Sequence, residues 1–437
     1  MTGPTDRRTP VVMVAGLDAQ AVTRVAGALL TPGTARIHQD LSHVTSGRVI
    51  RRVTWIDRDG HRRDRVTHVD LEHGCVSCTL REDLLPTLRR LHRQSQVNRI
   101  VLQLDPIMEP ERIAWTIDRV TVTGMPGFLD GPAGSDVRVD ATIACIAEDA
   151  WLDAATGDET LAEAGFDAVD DDRTLAQVAV GLVAFADAVI IAGCDVAMRD
   201  AWLSARLSAI LRRLCPHAPM LMELPQRPIT AFLADRLLAA IGPLARRGRV
   251  DEPHDPLLRG QPSLTEDCGV GWVEFQADRP FHPERLHDAI DVLLDGVVCA
   301  RGRLWLATQP EESLWLESAG GGLRVAPGGR WLVAMTDGEL DEIDAERRAL
   351  AALRWTEQAG DRHSSLVVLV HRADAGEITR ALRSACLTDA EHAAGQEFWH
   401  TLHDPFGTFH ADPCADLEIE ELDRAARTFT DQREGNR

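Results

Sequence analysis

Short apolar runs alternate with amphipathic segments along the first half of the chain. The first run, residues 11–16, ends in glycine and precedes apolar positions at 22, 25, 26 and 29, which is the spacing of a helix. Similar runs recur at residues 99–104, 140–146, 187–193 and 218–224. This alternation predicts an α/β fold, with a mostly parallel sheet and helices on both of its faces.

Residues 47–71 interrupt that order with two runs of period two around Asp59-Gly60, which predicts a β-hairpin. The predicted hairpin carries the densest positive charge in the chain: Arg48, Arg51, Arg52, Arg58, Arg62, Arg63 and Arg65. Such a surface favours contact with nucleic-acid phosphates. The alternative is a solvated sheet edge whose charges deter pairing with other strands.

The pattern changes twice further along the chain. Residues 246–266 are irregular and rich in proline and glycine, which predicts a linker after a first domain at 1–245. Residues 267–411 order strands and helices as in an antiparallel α+β domain, and residues 412–437 form a polar, acidic tail.

Charge and composition limit the classes of protein to which this chain can belong. The 437 residues include 68 acidic and 47 basic ones, giving a net charge of −21, and every basic residue is an arginine. A broad nucleic-acid-coating surface is therefore not expected, although a local basic patch remains open. Nine cysteines are too few for a disulfide framework, and we find no signal peptide and no apolar run of bilayer length. These features predict a cytoplasmic protein with reduced thiols and no membrane association.

A CxxC pair marks the entrance to a leucine-faced helix. Thr79 and Glu82 have the spacing of a capping box, which predicts a helix that begins at Cys78 or Thr79. The helix amino terminus would favour a thiolate on Cys78. Cys75 and Cys78 then fit three interpretations: two ligands of a zinc ion, a dithiol redox couple, or a structural turn.

The segment "HGCVSCTLREDLLPTL" resembles the GCxCC-TxRxDL segment of the CobW family of P-loop GTPases (CobW/HypB/UreG type), and "ALRSACLTDAEHAAGQEFWHTLHDPF" resembles that family's carboxy-terminal domain. The resemblance implies a P-loop GTPase-like domain followed by a smaller α+β domain, with zinc as the metal. Ser77 stands where the family has a third cysteine. By the same resemblance, Asp40 joins Cys75 and Cys78 as a metal ligand, with His73 or His43 as candidates to complete the set.

The family's nucleotide motifs are degraded. The loop Gly16 to Thr23 reads "GLDAQAVT", in which Ala19 and Ala21 replace glycines and Val22 replaces the phosphate-binding lysine.

The two nucleotide motifs that follow later in the chain are degraded as well. Gln103 and Pro106 replace the family's Glu-x-x-Gly pair, and "AGCD" retains only Asp195 of NKxD. Gly16, Thr23 and Asp195 would thus be the remains of a nucleotide site, or simply inherited scaffold. We expect that GTP does not bind well and that little or no GTP is hydrolysed.

The resemblance is to an actinobacterial branch of the family in particular. It implies recruitment of a hibernation-promoting factor to the 30S subunit of the ribosome under zinc limitation, with the hairpin from Arg48 to Arg65 contacting rRNA. Two alternatives stay open: a zinc metallochaperone that uses GTP, and a zinc reservoir or sensor without a ribosomal role.

Overall fold

The computed structural model describes residues 6–71, 75–166, 172–193 and 200–407. Its amino-terminal part contains ten strands: β1 (Thr9–Ala15), β2 (Thr34–Asp40), β3 (Arg48–Ile56), β4 (Arg62–Asp70), β5 (Arg99–Gln103), β6 (Thr121–Val122), β7 (Gly131–Pro132), β8 (Val137–Ala147), β9 (Ala188–Ala192) and β10 (Met220–Glu223). Eight of them form one sheet in the order β10-β9-β8-β1-β5-β2-β3-β4, while β6 and β7 pair with each other.

The six strands from β10 to β2 in that order are parallel neighbours, and β3 and β4 add an antiparallel hairpin at one edge. The predicted mostly parallel sheet and the predicted hairpin are therefore confirmed. The apolar runs are nearly continuous in the central strands because helices cover both faces of a parallel sheet.

The helices of this part are α1 (Ala19–Ala28), α2 (Val76–Cys78), α3 (Leu85–His92), α4 (Pro110–Arg119), α5 (Trp151–Thr156), α6 (Leu175–Ala184), α7 (Ala201–Leu214) and α8 (Ala231–Ala239). Alternate residues of β1 enter different cores, as its pleat requires. Val11 and Met13 belong to the core that contains the α3 leucines, whereas Val12 and Val14 belong to the core that contains α1. The central strand thus anchors the helices on both faces.

The carboxy-terminal part is an antiparallel sheet with helices. Its strands are β11 (Gly271–Ala277), β12 (Val297–Trp305), β13 (Glu312–Ala319), β14 (Gly322–Arg330) and β15 (Ser364–Val370), in the order β11-β15-β12-β13-β14. Its helices are α9 (Pro283–Ala289), α10 (Asp337–Glu342), α11 (Ala345–Ala352), α12 (Ala375–Ala385) and α13 (Asp389–Trp399). The apolar faces of α9 and α12 share a core with β11, β12 and β15. This arrangement agrees with the predicted α+β domain.

The segment 246–266, all of it described, has the predicted irregular backbone, but it is bonded to both domains. Arg246 donates from Nε to the carbonyl of Ala184 in the first domain (3.1 Å). Arg303 of β12 donates from Nη1 to the carbonyls of Pro253 and Asp255 (both 2.9 Å). The segment therefore packs as part of the fold rather than as a free tether. Within the described ranges, no helix has the length and apolar character needed to cross a bilayer.

Candidate functional site

In the loop after β1, a carboxylate of the chain itself occupies the amino terminus of α1. Asp18 is the N-cap of α1, and its Oδ1 accepts hydrogen bonds from the backbone N–H groups of Gln20 (2.9 Å) and Ala21 (3.0 Å). These are the first amides of a helix, the groups that cradle phosphate in a functional P-loop. A phosphate at this helix end would therefore have to displace a carboxylate that is part of the chain.

Val22, which stands at the position of the family's lysine, is a core residue. It is 1% exposed and belongs to the cluster of Val12, Val25 and Ile143 beneath the sheet. Gly16 retains a structural role, because a Cβ there would collide with the carbonyl oxygen of Cys145 on the neighbouring strand β8. The loop thus keeps its close backbone approach while its phosphate-binding side chain is replaced by packing.

Thr23 and Gln103 satisfy each other. Gln103 lies at the end of β5, is buried, and donates from Nε2 to Oγ1 of Thr23 (3.1 Å). Two positions that the resemblance assigns to the nucleotide site are therefore brought together, and they are joined by a direct hydrogen bond. Asp195, the third such position, lies outside the described residues.

An ion pair at the end of β10, an edge strand of the sheet, is a feature that our sequence analysis missed. Arg24 of α1 contacts Glu223 at the end of β10 (2.9 Å), and Glu223 also accepts from the backbone N–H of Ile229 (3.0 Å). Burial alone would raise the pKa of Glu223, but these hydrogen bonds hold it below its ordinary value. Arg24, which follows Thr23 in the sequence, thus has a structural role.

The helix that contains the cysteine pair begins earlier than predicted. Cys75 is the N-cap of α2, and its Sγ accepts a hydrogen bond from the backbone N–H of Cys78 (3.3 Å). Thr79 does not cap the helix; it is fully buried and donates from Oγ1 to the carbonyl of Cys75 (3.1 Å). The predicted capping box and the start at Cys78 or Thr79 are wrong, because burial turns the hydroxyl inward. The sulfur at the helix amino terminus is that of Cys75.

A turn of π-helix, Thr79–Leu84, joins α2 to α3, where Pro86 lacks the N–H that a regular helix would use. This turn presents Asp83, which is buried and accepts hydrogen bonds from Nη1 of Arg51 on β3 and from Nε2 of Gln39 on β2 (2.6 Å). Burial raises the pKa of Asp83 even though Arg51 opposes the shift. The pair pins the cysteine-bearing helix to the hairpin strand.

Asp40, the predicted carboxylate ligand, lies at the end of β2. Its Oδ1 accepts from the backbone N–H (3.0 Å) and the hydroxyl (2.7 Å) of Ser42. Burial alone would raise the pKa of Asp40, but these two bonds outweigh it and lower the pKa. Asp105, after β5, is a second carboxylate here, and burial raises its pKa. Sequence reasoning missed Asp105 because its proximity to β2 depends on the strand order.

The metal assignment stays a prediction. His73 lies outside the described residues, and within the described part of the chain Cys75, Cys78, Asp40 and His43 do not bring three ligand atoms within 4.8 Å of one another. Cys75 and Cys78 are only partly buried, and two cysteines at this spacing are the soft ligands that zinc prefers.

One other group among the described residues does meet that distance: Asp57, Asp59 and His61 at the hairpin tip. The tip itself accounts for their proximity. Oδ1 of Asp57 accepts from the backbone N–H groups of Asp59 (3.0 Å) and His61 (2.8 Å), while Oδ2 accepts from Arg63 (2.8 Å). These carboxylate oxygens close a tight turn.

The seven arginines of the hairpin differ in their surroundings, and one of them, Arg65, lies over the ring of Trp55 (5.9 Å to the ring centroid). Arg51 points inward and pairs with Asp83, so it serves the fold. Three others lie beside carboxylates of the same hairpin, in the pairs Arg48–Asp70, Arg62–Asp64 and Arg63–Asp57. Arg52 and Arg58 are exposed and have no ion pair in the described ranges. The positive surface available to a partner is therefore smaller than the sequence suggests.

Two family models match the chain. The CobW/HypB/UreG nucleotide-binding domain matches residues 51–222, a range that starts after the Gly16 to Thr23 loop, and the cobalamin synthesis protein cobW C-terminal domain matches residues 270–386.

Similar proteins include a Mycobacterium tuberculosis protein named zinc chaperone, which is 45% identical over 94% of this chain and 96% of its own length. A Dictyostelium discoideum protein named zinc-regulated GTPase metalloprotein activator 1 is 25% identical over 77% of this chain and 70% of its own. Among solved structures, Zn(II)-bound YjiA GTPase from E. coli aligns with a TM-score of 0.35 at 14% identity, covering 87% of this chain and 99% of that one.

Proposed function

The chain belongs to the CobW family, and from that premise we propose that it is a zinc-responsive protein whose nucleotide domain serves as a scaffold rather than as a working GTPase. The observation that carries the proposal is the carboxylate of Asp18 on the first amides of α1. A P-loop holds phosphate with the first backbone amides of its helix and with a lysine side chain. Here the amides bind Asp18, and the lysine position is occupied by Val22 in the core, so both have structural roles.

Zinc is supported by the chemistry of the cysteine pair and by the names of the relatives. Cys75 and Cys78 would hold the ion, with Asp40 and His73 or His43 as the predicted further ligands. The helix fixed by Asp83 and Arg51 starts at Cys75, so a metal bound there would act on a segment that is tied to β3. Binding or loss of zinc would in this way affect the conformation of the hairpin.

We extend the proposal to a partner: the protein recruits a hibernation-promoting factor to the 30S subunit of the ribosome when zinc is scarce. Support comes from the resemblance and from the exposed arginines Arg52 and Arg58, which are free to meet rRNA phosphates. Recruitment needs no nucleotide hydrolysis, which agrees with a helix α1 whose amino terminus is already occupied by the carboxylate of Asp18. A zinc metallochaperone is the second candidate, and the relative named zinc chaperone favours it.

Sedimentation separates the two candidates. Tagged protein is centrifuged with ribosomes from zinc-limited and zinc-replete cells, with and without the hibernation-promoting factor. The recruiter predicts co-sedimentation of protein and factor that depends on zinc limitation. Zinc binding without co-sedimentation under any of these conditions would contradict the ribosomal role and favour the metallochaperone or a zinc reservoir.

A further inference from the structure

The cysteines of the described residues differ in their exposure to solvent. Cys145, Cys215 and Cys299 are buried. Burial raises the pKa of all three thiols, to about 12 for Cys215 and for Cys299. Because thiols react with oxidants as thiolates, these three are inert near neutral pH. Cys75 and Cys78, in contrast, are partly exposed at the start of a helix.

Two further cysteines are partly exposed, but each uses its S–H group as a donor. Cys268 donates from Sγ to Oδ1 of Asp267 (3.3 Å), and this hydrogen bond raises the pKa of Cys268. Cys386 donates from Sγ to the carbonyl of Leu382 (3.6 Å), and burial raises the pKa of Cys386 to about 11. Both residues are therefore held in the thiol form.

Cys75 has the opposite arrangement, because its sulfur accepts a hydrogen bond. The backbone N–H of Cys78 donates to Sγ of Cys75 (3.3 Å). Beside the pair, Arg112 of α4 donates from Nη2 to Oγ of Ser77 (2.8 Å). An N–H donor and a neighbouring guanidinium both favour negative charge on sulfur, the form that attacks oxidants.

The second sulfur of the pair lies within reach of the first. Sγ of Cys75 is 3.3 Å from the backbone nitrogen of Cys78, and the Cys78 side chain branches from the next atom of the chain. Rotation about side-chain bonds therefore brings the two sulfurs together. Two cysteines three apart at the start of a helix are also the arrangement that disulfide oxidoreductases use. The pair can consequently form a disulfide without rearrangement of the helix.

We propose that Cys75 and Cys78 form a reversible disulfide in reaction with a hydroperoxide, and that this reaction releases zinc from the pair. The sulfur of Cys75 attacks a peroxide oxygen, the O–O bond breaks, and an alcohol or water leaves, so that Cys75 becomes a sulfenic acid. The sulfur of Cys78 then attacks Sγ of Cys75; the S–S bond forms, the S–O bond breaks, and water leaves. The two sulfurs supply the two electrons that reduce the peroxide, and in the zinc-bound pair the two protons are taken from solvent.

Zinc leaves because its ligands are thiolates, and a disulfide has none. This step rests on the proposed function, in which the pair holds zinc, whereas formation of the disulfide does not. The helix that starts at Cys75 is tied to β3 through Asp83 and Arg51, so oxidation removes the metal from the same helix start as zinc limitation does. An oxidant then has the effect of zinc limitation on the proposed recruitment.

Peptide mass spectrometry of the full-length protein tests for the disulfide. Because every basic residue is an arginine, trypsin cleaves only after arginine, and residues 66–81 form one peptide that contains these two cysteines and no other. We expect brief exposure of zinc-free protein to hydrogen peroxide to lower the mass of this peptide by about 2 Da, the loss of two hydrogens, and dithiothreitol to restore it. A peptide that keeps both thiols, or that only gains oxygen atoms, overturns the proposal.

The same treatment of zinc-loaded protein tests the release of the metal, which a chromogenic chelator reports. We expect zinc to appear at the rate at which the disulfide forms. Zinc that stays bound while the disulfide forms overturns the release step. A protein that binds zinc but forms no disulfide refutes this inference and leaves the proposed function intact. A disulfide in a protein that never binds zinc refutes the metal assignment and the release step.

Cysteine variants identify the reacting sulfurs. Cys78→Ser should stop at a sulfenic acid on Cys75, which dimedone traps. Cys268→Ser, which removes another partly exposed thiol, is the matched control and should leave the rates of disulfide formation and zinc release unchanged. A Cys268→Ser protein that reacts as slowly as Cys78→Ser would contradict the pairing of Cys75 with Cys78.

Arginine variants test the surroundings of the pair. Arg112→Ala removes an exposed side chain, so the fold should persist, as circular dichroism would verify. We expect it to slow disulfide formation about threefold or more, because the guanidinium beside the pair is lost. Arg119→Ala, exposed at the other end of α4, is the matched control and should react at the wild-type rate. Equal rates for the two variants would refute the role of Arg112.

Discussion

Val22→Lys restores the family's phosphate-binding lysine, yet we expect it to destabilise the first domain rather than to create a nucleotide site. Val22 is 1% exposed, and its burial is worth about 1.5–3 kcal/mol. An ammonium left unpaired at the same place costs about 3–5 kcal/mol. Because the lysine stem recovers part of both by reaching towards solvent, we expect a net loss of about 3 kcal/mol or more in the free energy of unfolding.

Urea unfolding followed by circular dichroism measures this loss, with Gln20→Lys as the matched control. Gln20 is exposed on the same turn of α1, so its replacement adds the same charge without burying it and should change stability by less than about 0.5 kcal/mol. Neither variant should bind GTP with magnesium in calorimetry, since Asp18 still occupies the helix end. A Val22→Lys protein that is as stable as wild type and binds GTP would refute the account of the loop.

The Cys75→Ser, Cys78→Ser double variant should remain folded, because the leucine face of the helix is intact, but should lose zinc to a competing chelator; equal zinc retention by variant and wild type would refute the metal assignment. Arg51→Ala should lower the free energy of unfolding by about 3 kcal/mol by leaving a buried carboxylate unpaired. Arg52→Ala should leave stability unchanged and flatten the salt dependence of ribosome co-sedimentation. An unchanged salt dependence would favour the alternative interpretation, in which the hairpin is a solvated sheet edge without contact to rRNA. Hydrogen bonds from a guanidinium lower the pKa of Glu391 to about 2 from an ordinary 4.5, so its stabilisation is present above pH 4.5 and is lost as the pH falls towards 2. Glu391→Gln should therefore lower Tm at pH 7, and the difference from wild type should shrink below pH 4.5; a constant difference would contradict the ionic role.

The sequence predicts those elements whose pattern is local. The apolar run of β1 and the period-two runs around Asp59-Gly60 are found as strands in the expected places. β14 shows the opposite case, because "GLRVAPGGR" has proline and glycines where alternating apolar residues would indicate a strand.

Long-range contacts set the limits of prediction at the site. Thr79 and Glu82 have capping-box spacing, but tertiary packing buries Thr79 and makes Cys75 the cap. The pairing of Arg51 with Asp83 depends on β3 lying beneath the helix, which spacing along the chain does not reveal. Asp18 as a cap could have been predicted, since aspartate before a helical pattern is a preferred N-cap.

The central claim is that zinc binding here works without nucleotide, and one titration tests it most directly. The zinc affinity of the full-length protein is measured by chelator competition with and without saturating GTP and magnesium. A metallochaperone driven by GTP requires the two ligands to be coupled, and such coupling appears as a change in zinc affinity. We predict the same zinc affinity in both titrations, lost in the double cysteine variant; a shift of about fivefold or more on adding GTP would contradict the account.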